Sequence, residues 1–343
     1  MQRRKKLEGI VLVLAALHGV VLGAGFFAPY DTAAQNRALP FAHPTRLHFA
    51  DARRKIHLRP FFYPWVPRAG VYGEYEENRS RPCPVRFFVK GTPYRIAGWL
   101  PARLHLFGAD EPARIFLLGS DGYGRDLFSR VLYGGQISLL AGLLATGISI
   151  GLGLLLGALA GFYGGWLDEI LMRGAELFLA LPWLYLLFAI RAFLPLQISP
   201  AQAFLLLIVV IGGIGWARPA RLVRGVVLSA RERDYVKAAR GFGASDIYLL
   251  RRHVLPQTFG LLLTQAAILV PQYILAEVTL SFLGLGVSEP VPSWGNMLAN
   301  LQHYDVLASY WWMYLPGLLL VLFFLGYSAL ASALHERVGA VII

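Results

Sequence analysis

The sequence predicts an all-α membrane protein: six transmembrane helices, a helical loop protruding on the cytoplasmic side, and a small external insert that is mainly β or irregular. Three observations carry this. Of 343 residues, 56% are hydrophobic and only 15% are charged, where soluble domains hold roughly 25% charge, and the mean hydropathy is +0.53. Stretches of about twenty residues with little or no charge, long enough to cross the hydrocarbon core as helices, recur along the chain. Outside the insert, Lys and Arg gather on alternate loops.

Residues 9–29 carry no charged group, with His18 as the one titratable side chain. Arg3, Arg4, Lys5 and Lys6 precede them, as in a signal peptide. The run is longer than the ~7–15 residues of a signal core, and no small-x-small cleavage site follows closely. An uncleaved anchor over 1–29 is therefore expected. Residues 138–161 hold no charge; 170–194 are apolar apart from Arg173, Glu176 and Arg191; 199–217 are clean; 258–282 carry only Glu277; 313–334 carry none. The organisation read from this is an anchor at 1–29, an external segment at 30–135, a five-helix core at 136–335 with a loop at 218–257, and a cytoplasmic tail at 336–343.

Loop charge orients the spans. With the N-terminus inside, the short inner loops and ends hold fifteen Lys or Arg and the short outer loops, 195–198 and 283–312, hold none. Both termini are expected in the cytoplasm of a cell (inner) membrane protein. The sixteen Lys or Arg of 30–135 are no contradiction, because long segments translocate largely regardless of charge. That segment holds half the basic residues, so the net charge of +12 does not point to nucleic acid.

Within the second span, Gly147 and Gly151 make one four-residue step and Gly153, Gly157 and Gly161 two more. Small residues at this spacing let helix backbones approach. A packing seam inside this subunit is favoured over one to a second subunit. Pro182 and Pro271 each remove a backbone hydrogen bond and are expected to interrupt or kink their spans. Arg191 and Glu277 fall about one turn below the outer ends of the third and fifth spans. They are expected to pair across those spans or to line an outer gate, with Arg191 reaching the interface alone as the alternative.

In the external segment, 85–90 and 94–98 read as short strands joined by a turn at Gly91-Thr92-Pro93. Glu74, Glu76 and Glu77 read as a solvated acidic loop. Ser120-Asp121 suits a helix cap, and 125–133 reads as an amphipathic helix on the outer membrane surface, with Asp126 and Arg130 one turn apart.

The chain has one cysteine, Cys83, hence no internal disulfide, and no metal site is expected. No catalytic residues are expected: Gly-x-Ser-x-Gly, His-Glu-x-x-His and paired membrane aspartates do not occur. Nor does a G-x-x-x-x-G-K-[ST] phosphate loop, so ATP, if it drives the protein, binds another chain.

The inner loop suits a helix at 230–240, a break at Gly241-Phe242-Gly243 with Gly243 in positive φ, and a second helix capped by Ser245 and running to about 254. Its sequence, Tyr235-Val236-Lys237-Ala238-Ala239-Arg240-Gly241-Phe242-Gly243-Ala244-Ser245 followed by Arg252-His253-Val254-Leu255-Pro256, resembles the "EAA" loop of binding-protein-dependent importer permeases. Leu118-Gly119-Ser120-Asp121-Gly122-Tyr123-Gly124-Arg125-Asp126, Ser281-Phe282-Leu283-Gly284-Leu285-Gly286 and Pro292-Ser293-Trp294-Gly295-Asn296-Met297-Leu298 resemble the dipeptide, oligopeptide and nickel branch of that ATP-binding-cassette family. The resemblance covers roughly 115–335 and the first anchor. It implies one half of a translocation pathway for peptides, in a bilayer, paired with a second homologous permease. Two cytoplasmic ATPases would hold ATP and Mg, and an external binding protein would deliver substrate. Lys237, Ala238, Ala239, Gly243, Ala244, Ser245 and Asp246 would form the ATPase-coupling surface. Lys237 stands where the family motif usually has Glu, and the external segment is longer than usual. Import of nickel or another small solute by the same machinery is the alternative; a secondary transporter is a more distant one.

Overall fold

The structure, a computed structural model, describes residues 2–50, 56–68, 70–71, 73–96, 100–193 and 198–342. The chain divides into two compact units, one of Met1–Leu14, Leu139–Leu280 and Val321–Ile343, the other of Ala15–Ser138 and Ser281–Leu320.

The first unit is helical. It holds the start of α1 (Gln2–Leu22), most of α3 (Leu127–Tyr163), then α4 (Gly165–Ala180), α5 (Trp183–Phe193), α6 (Pro200–Ile214), α7 (Ala217–Arg231), α8 (Asp234–Gly241), α9 (Asp246–Leu249) and α10 (Phe259–Phe282), and ends with most of α13 (Leu315–Ile342). Among the described residues, three helical runs are long and apolar enough to cross a membrane: Leu127–Tyr163, Asp246–Phe282 and Trp311–Glu336. Two bent pairs raise this to five if each is one span: α4 with α5 at 94°, and α6 with α7 at 41°. The stretch expected as a first span forms α1 as far as Leu22 and, after Gly23, the single turn α2 (Ala24–Phe27). Six spans are expected, two of them interrupted by proline; by length and composition the described residues hold three such helices, or five if each bent pair is one span.

The breaks have local causes. Leu181 is extended (φ −83°, ψ 136°), as a residue before proline must be, and Pro182 has no N–H to continue the ladder. A kink was expected here; the chain turns by 94°. Pro271 lies inside an uninterrupted α10.

The glycine steps separate into two sets. A Cβ on Gly157 would collide with the Ala220 carbonyl oxygen; one on Gly153 would meet Pro219 at 2.5 Å, and one on Gly161 would meet the Arg224 carbonyl oxygen at 2.9 Å. These three form a seam within the chain, along which α7 lies backbone to backbone on α3. Nothing approaches Gly147 or Gly151 within 4 Å. On the other side of α7, Arg224 grips Asp168 of α4 with two hydrogen bonds of 2.5 and 2.6 Å, the bidentate geometry in which Arg is strongest.

The second unit contains the insert expected outside the membrane. Its strands are β1 (His48–Ala50), β2 (Ile56–Phe62), β3 (Trp65–Pro67), β4 (Tyr75–Glu77), β5 (Cys83–Pro84), β6 (Arg86–Ile96) and β7 (Leu100–Gly108). They form an antiparallel β1-β2-β5 sheet and two hairpins, β3-β4 and β6-β7. Phe62, Cys83, Val85, Phe107 and Ile115 make a buried core. Two expected strands prove to be one: β6 runs through Gly91-Thr92-Pro93 with a register irregularity between Lys90 and Tyr94. Pro93 cannot donate to the ladder, and such residues are tolerated at bulges; the reversal comes later, before β7. Residues 97 and 98 of the expected strand, and Tyr72 beside the acidic loop, lie outside the described residues. The expected solvated loop is in part the strand β4, paired with β3: Glu74, before it, pairs with Arg68 at 3.0 Å, and Glu77, largely buried, with Arg79 at 3.6 Å. The unit is completed by α11 (Trp294–Ala299) and α12 (Tyr304–Ser309).

The amphipathic surface helix expected at 125–133 is not separate: from Leu127 it is the opening of the 37-residue α3. Nor does Ser120-Asp121 cap it. Asp126 does, its Oδ2 accepting from the Ser129 N–H (2.8 Å) and hydroxyl (2.6 Å), so it is turned to Ser129 and not to Arg130.

The seam yields a paired expectation. Gly157→Leu forces α7 off α3 and is expected to lower stability by about 1–3 kcal/mol, the usual cost of overpacking, whereas Gly147→Leu should change it little. Thermal unfolding of the two variants in one detergent compares them directly; equal shifts would show that the seam bears no load.

Candidate functional site

The loop expected on the inner side is built from α7, α8 and α9. Glu232 and Arg233 break α7 from α8, with Arg233 extended (φ −66°, ψ 141°). The helix expected over 230–240 is therefore the end of α7 followed by a separate α8. At the far end, Gly243 takes φ +87°. The Gly243 N–H donates to the Arg240 carbonyl at 3.0 Å and the Ala244 N–H to the Ala239 carbonyl at 3.1 Å, the paired bonds of a glycine-terminated helix. Ser245 then caps α9, its hydroxyl accepting from the Tyr248 N–H at 3.4 Å. Arg240 reaches across the turn to Asp246 at 3.1 Å. Beyond α9 the chain does not stop at 254: a π turn (Leu250–Val254) and a 3-10 turn (Leu255–Thr258) carry it without a break into α10.

Burial sorts the seven predicted residues. Val236 and Leu249 are the loop's anchors, packed with Phe162, Val223, Val227 and Ala230, and Ala239 and Ala244 lean on the same cluster. These two alanines face the chain's own core and not outward. Lys237, Ala238, Gly243, Ser245 and Asp246 are exposed. The residues missed from sequence are the apolar ones of the tip: Phe242 is 93% exposed, and Ile247 and Tyr248 are exposed beside it. A phenylalanine between two glycines was the available signal, because such flanks leave its ring unshielded.

Lys237 is engaged within the chain. Its Nζ lies 3.1 Å from Glu232 Oε2, and this bond holds the Glu232 carboxyl below the usual carboxylate range. Arg231 donates to the Gly161 and Phe162 carbonyls (2.9 and 3.2 Å), satisfying the C-terminal end of α3 and tying the loop's root to it.

Arg191, in the last turn of α5, and Glu277, in α10, are both buried. A cavity of about 360 Å³ opens where the two helix bends meet α10, walled by Phe178, Trp183 and Leu187 and carrying Arg218, Gln272 and Tyr273. The Tyr273 hydroxyl shares a hydrogen bond with Ser149 (2.8 Å), whose hydroxyl also reaches the Gly212 carbonyl (2.9 Å). Among the described residues no group of His, Cys, Asp and Glu is arranged to hold a metal.

A second polar site lies in the second unit, and sequence reasoning did not assemble it. Asp121 accepts from Arg125 Nε at 2.6 Å, and Arg130 Nε lies 3.4 Å away; Glu289 joins both guanidiniums at 2.7 Å. Arg125 stacks over Tyr123 at 4.7 Å. Arg130 is 1% exposed and Glu289 43%, so two buried cations are balanced by one buried and one half-exposed carboxylate. Nearby, burial pushes the Asp126 carboxyl up to about 7 despite the hydrogen bonds from Ser129.

Comparison with known proteins adds the following. Residues 153–340 match the family described as binding-protein-dependent transport system inner membrane component. The chain is 35% identical over 237 residues to the dipeptide transport system permease protein DppC of Bacillus subtilis (strain 168), covering 69% of this chain and 68% of that one. It is 38% identical over 243 residues to a peptide permease of Brucella ovis, covering 69% and 78%. A chain of the MetNI methionine ABC transporter in an inward facing conformation is 18% identical, with a TM-score of 0.45 over 62% of this chain and 95% of that one; so slight a likeness carries no argument.

The charge cluster sets a graded expectation. Removing Arg130 leaves Asp121 paired with Arg125 but takes away the charge-assisted bond to Glu289, worth roughly 1.5–3 kcal/mol; neutralising half-exposed Glu289 should cost about 1 kcal/mol, as for a screened surface pair. Hydrogen exchange at the 119–130 amides in Arg130→Met and Glu289→Gln reads both, and equal effects would refute the buried cluster as the source.

Proposed function

The chain belongs to the binding-protein-dependent transport system inner membrane components, and from that premise we propose that it forms half of a peptide translocation pathway worked by separate ATPase chains. It is a peptide-type permease subunit of an ATP-binding-cassette importer. The finer reading has six passes, within α1 with α2, α3, α4 with α5, α6, α10 and α13, with the loop of 218–257 and both termini inside and residues 30–135 outside. Alpha-helical rise gives 9–27 a length of roughly 28 Å at 1.5 Å per residue, close to the hydrocarbon thickness. Its partners are a second permease, two cytoplasmic ATPases and an external binding protein, as the family resemblance implies; ATP and Mg sit on the ATPases.

One observation carries the coupling role: an exposed apolar tip, Phe242 with Ile247 and Tyr248, hangs from two buried anchors, Val236 and Leu249. A tip so fixed passes on a push from a docked partner instead of yielding to it. Gly243 has open space around it but a backbone that side chains resist (φ +87°), so its replacement alters the shape of the tip and not its packing.

The translocation pathway itself is read from the first unit. Arg191 and Glu277 are buried on α5 and α10, and isolated charge at that depth is costly. Their mutual pairing, or joint service at an outer gate, is the reading offered.

Three outcomes follow from this assembly. Phe242→Ser and Gly243→Val should leave membrane abundance and permease pairing intact while ATPase co-purification and uptake fall at least tenfold; full retention of both would make the loop a mere connector. In a Cys83→Ser background, cysteines at Ser245 and Gly70 should label with an impermeant reagent from opposite faces of the membrane, and labelling of both from outside intact cells would sink the topology. The double exchange Arg191→Glu with Glu277→Arg should restore more transport than either single change, whereas additive losses would separate the two residues.

A further inference from the structure

The β6-β7 hairpin is held against the point where the first helix ends. His105 is buried between two carbonyl oxygens, with Nδ1 2.6 Å from that of Ala28 and Nε2 2.9 Å from that of Thr92. The Phe88 ring lies 6.4 Å from that of Phe26. The Tyr94 ring lies so close over Gly25 that a Cβ there would overlap it. These contacts have an order. His105 pairs with Val89, and Tyr94 with Ala102 further along the hairpin. Moving out along the hairpin from Val89 to Tyr94 therefore moves back along the helix from Ala28 to Gly25. Continued to the outermost described pair, Ile96 with Leu100, this order points toward lower-numbered residues and α1, the direction of the bilayer in the topology proposed above.

The chemistry of that end matches its direction. Phe87, Phe88, Ile96, Leu100 and Leu104 are each about half exposed, as are Val20 and Leu22 on the neighbouring turns of α1. Arg86, Lys90, Arg95 and Arg103 are interleaved with them, and no Asp or Glu occurs from 86 to 109. Arg86 is partnered by Asp110 at 2.7 Å; Lys90, Arg95 and Arg103 are exposed. Apolar side chains alternating with cations beside a membrane anchor are the composition of an interfacial element, in which the apolar groups enter the headgroup boundary and the cations meet phosphate. A soluble partner would have to displace lipid from the same turns of α1 to reach this surface.

We propose that the β6-β7 hairpin is a lipid-binding element, seated on the outward-facing bilayer surface through anionic phospholipid headgroups at Lys90, Arg95 and Arg103, with Ile96, Leu100 and Leu104 at the acyl boundary. It rests on the outward placement of residues 30–135. It gives the enlarged insert a task that the permease core does not supply: holding the external unit down at the membrane, beside the first anchor.

Spin labels test it on the full chain in nanodiscs of phosphatidylcholine, with and without phosphatidylglycerol. Cysteines are placed at Ile96, Leu104 and exposed Ser80 in a Cys83→Ser background, and collision with lipid-soluble oxygen is compared with collision with a water-soluble nickel chelate. The expected oxygen-to-nickel ratio is several-fold higher at 96 and 104 than at 80 when phosphatidylglycerol is present. It should fall in phosphatidylcholine alone and in the triple variant Lys90→Glu, Arg95→Glu, Arg103→Glu. Equal ratios at all three positions overturn the proposal. So does a ratio that ignores both lipid charge and charge reversal, or one that rises only when the binding protein or the second permease is added. Labelling Ser80→Cys with an impermeant reagent on intact cells keeps the two readings apart: Ser80 labelled from outside with a wet hairpin defeats the hairpin proposal alone, and Ser80 unlabelled defeats the topology beneath it.

Discussion

The packing of the helical unit depends on how closely two backbones approach. Because Gly153, Gly157 and Gly161 present no side chain, α7 lies directly on α3, and α8 and α9 are hung from α7. Arg231 ties its end to the last carbonyls of α3, and Arg224 clamps its other side to Asp168 of α4. In lipid there is no hydrophobic drive between helices, so contact area and hydrogen bonds must supply cohesion. The seam supplies the first and the two arginines the second. Val236 and Leu249 then complete the same cluster from the loop, so the loop is continuous with the helical packing that supports it.

The second unit reaches order by another route. Apart from β6 and β7 its strands are short, and the sheet's core of Phe62, Phe107 and Ile115 is small. Polar ties do much of the joining. Ser120 donates to the Leu39 carbonyl and accepts from the Ala42 N–H (2.6 and 2.8 Å), and the Trp312 indole N–H donates to the Ser120 carbonyl at 3.1 Å. The arginine–carboxylate cluster binds the 281–293 loop to the opening of α3 through Glu289. Partnered buried polar groups favour one arrangement over its competitors, and here they act alongside the unit's apolar clusters.

What was legible in the sequence was whatever depends on neighbours along the chain. Gly243 and Ser245 end one helix and start the next by local backbone rules, and both are where those rules put them. The uncharged runs mark apolar helices for the same reason. The misreadings came from distant partners. Nothing near Gly91-Thr92-Pro93 reveals that 100–108 will pair across it and draw two strands into one. Asp126 and Arg130 stand at helical spacing, yet Glu289, about 160 residues on, takes the arginine and Ser129 takes the aspartate. Ala239 and Ala244 belong to a motif associated with docking, but only the packed loop shows that they face inward and that Phe242 does not. Leu181-Pro182 marked a break; its angle belongs to the packing around it.

The Lys237–Glu232 pair bears on how a partner meets this chain. A lone cation would project a field of one charge over nearly a Debye length, drawing in or turning away a partner before touch. Opposite charges 3.1 Å apart make a dipole, whose field dies off faster. In the proposed assembly this position would do little to steer the encounter. Discrimination between a matched ATPase and a foreign one would then rest on shape at Phe242 and Ile247 and act after collision, through how long the complex lasts.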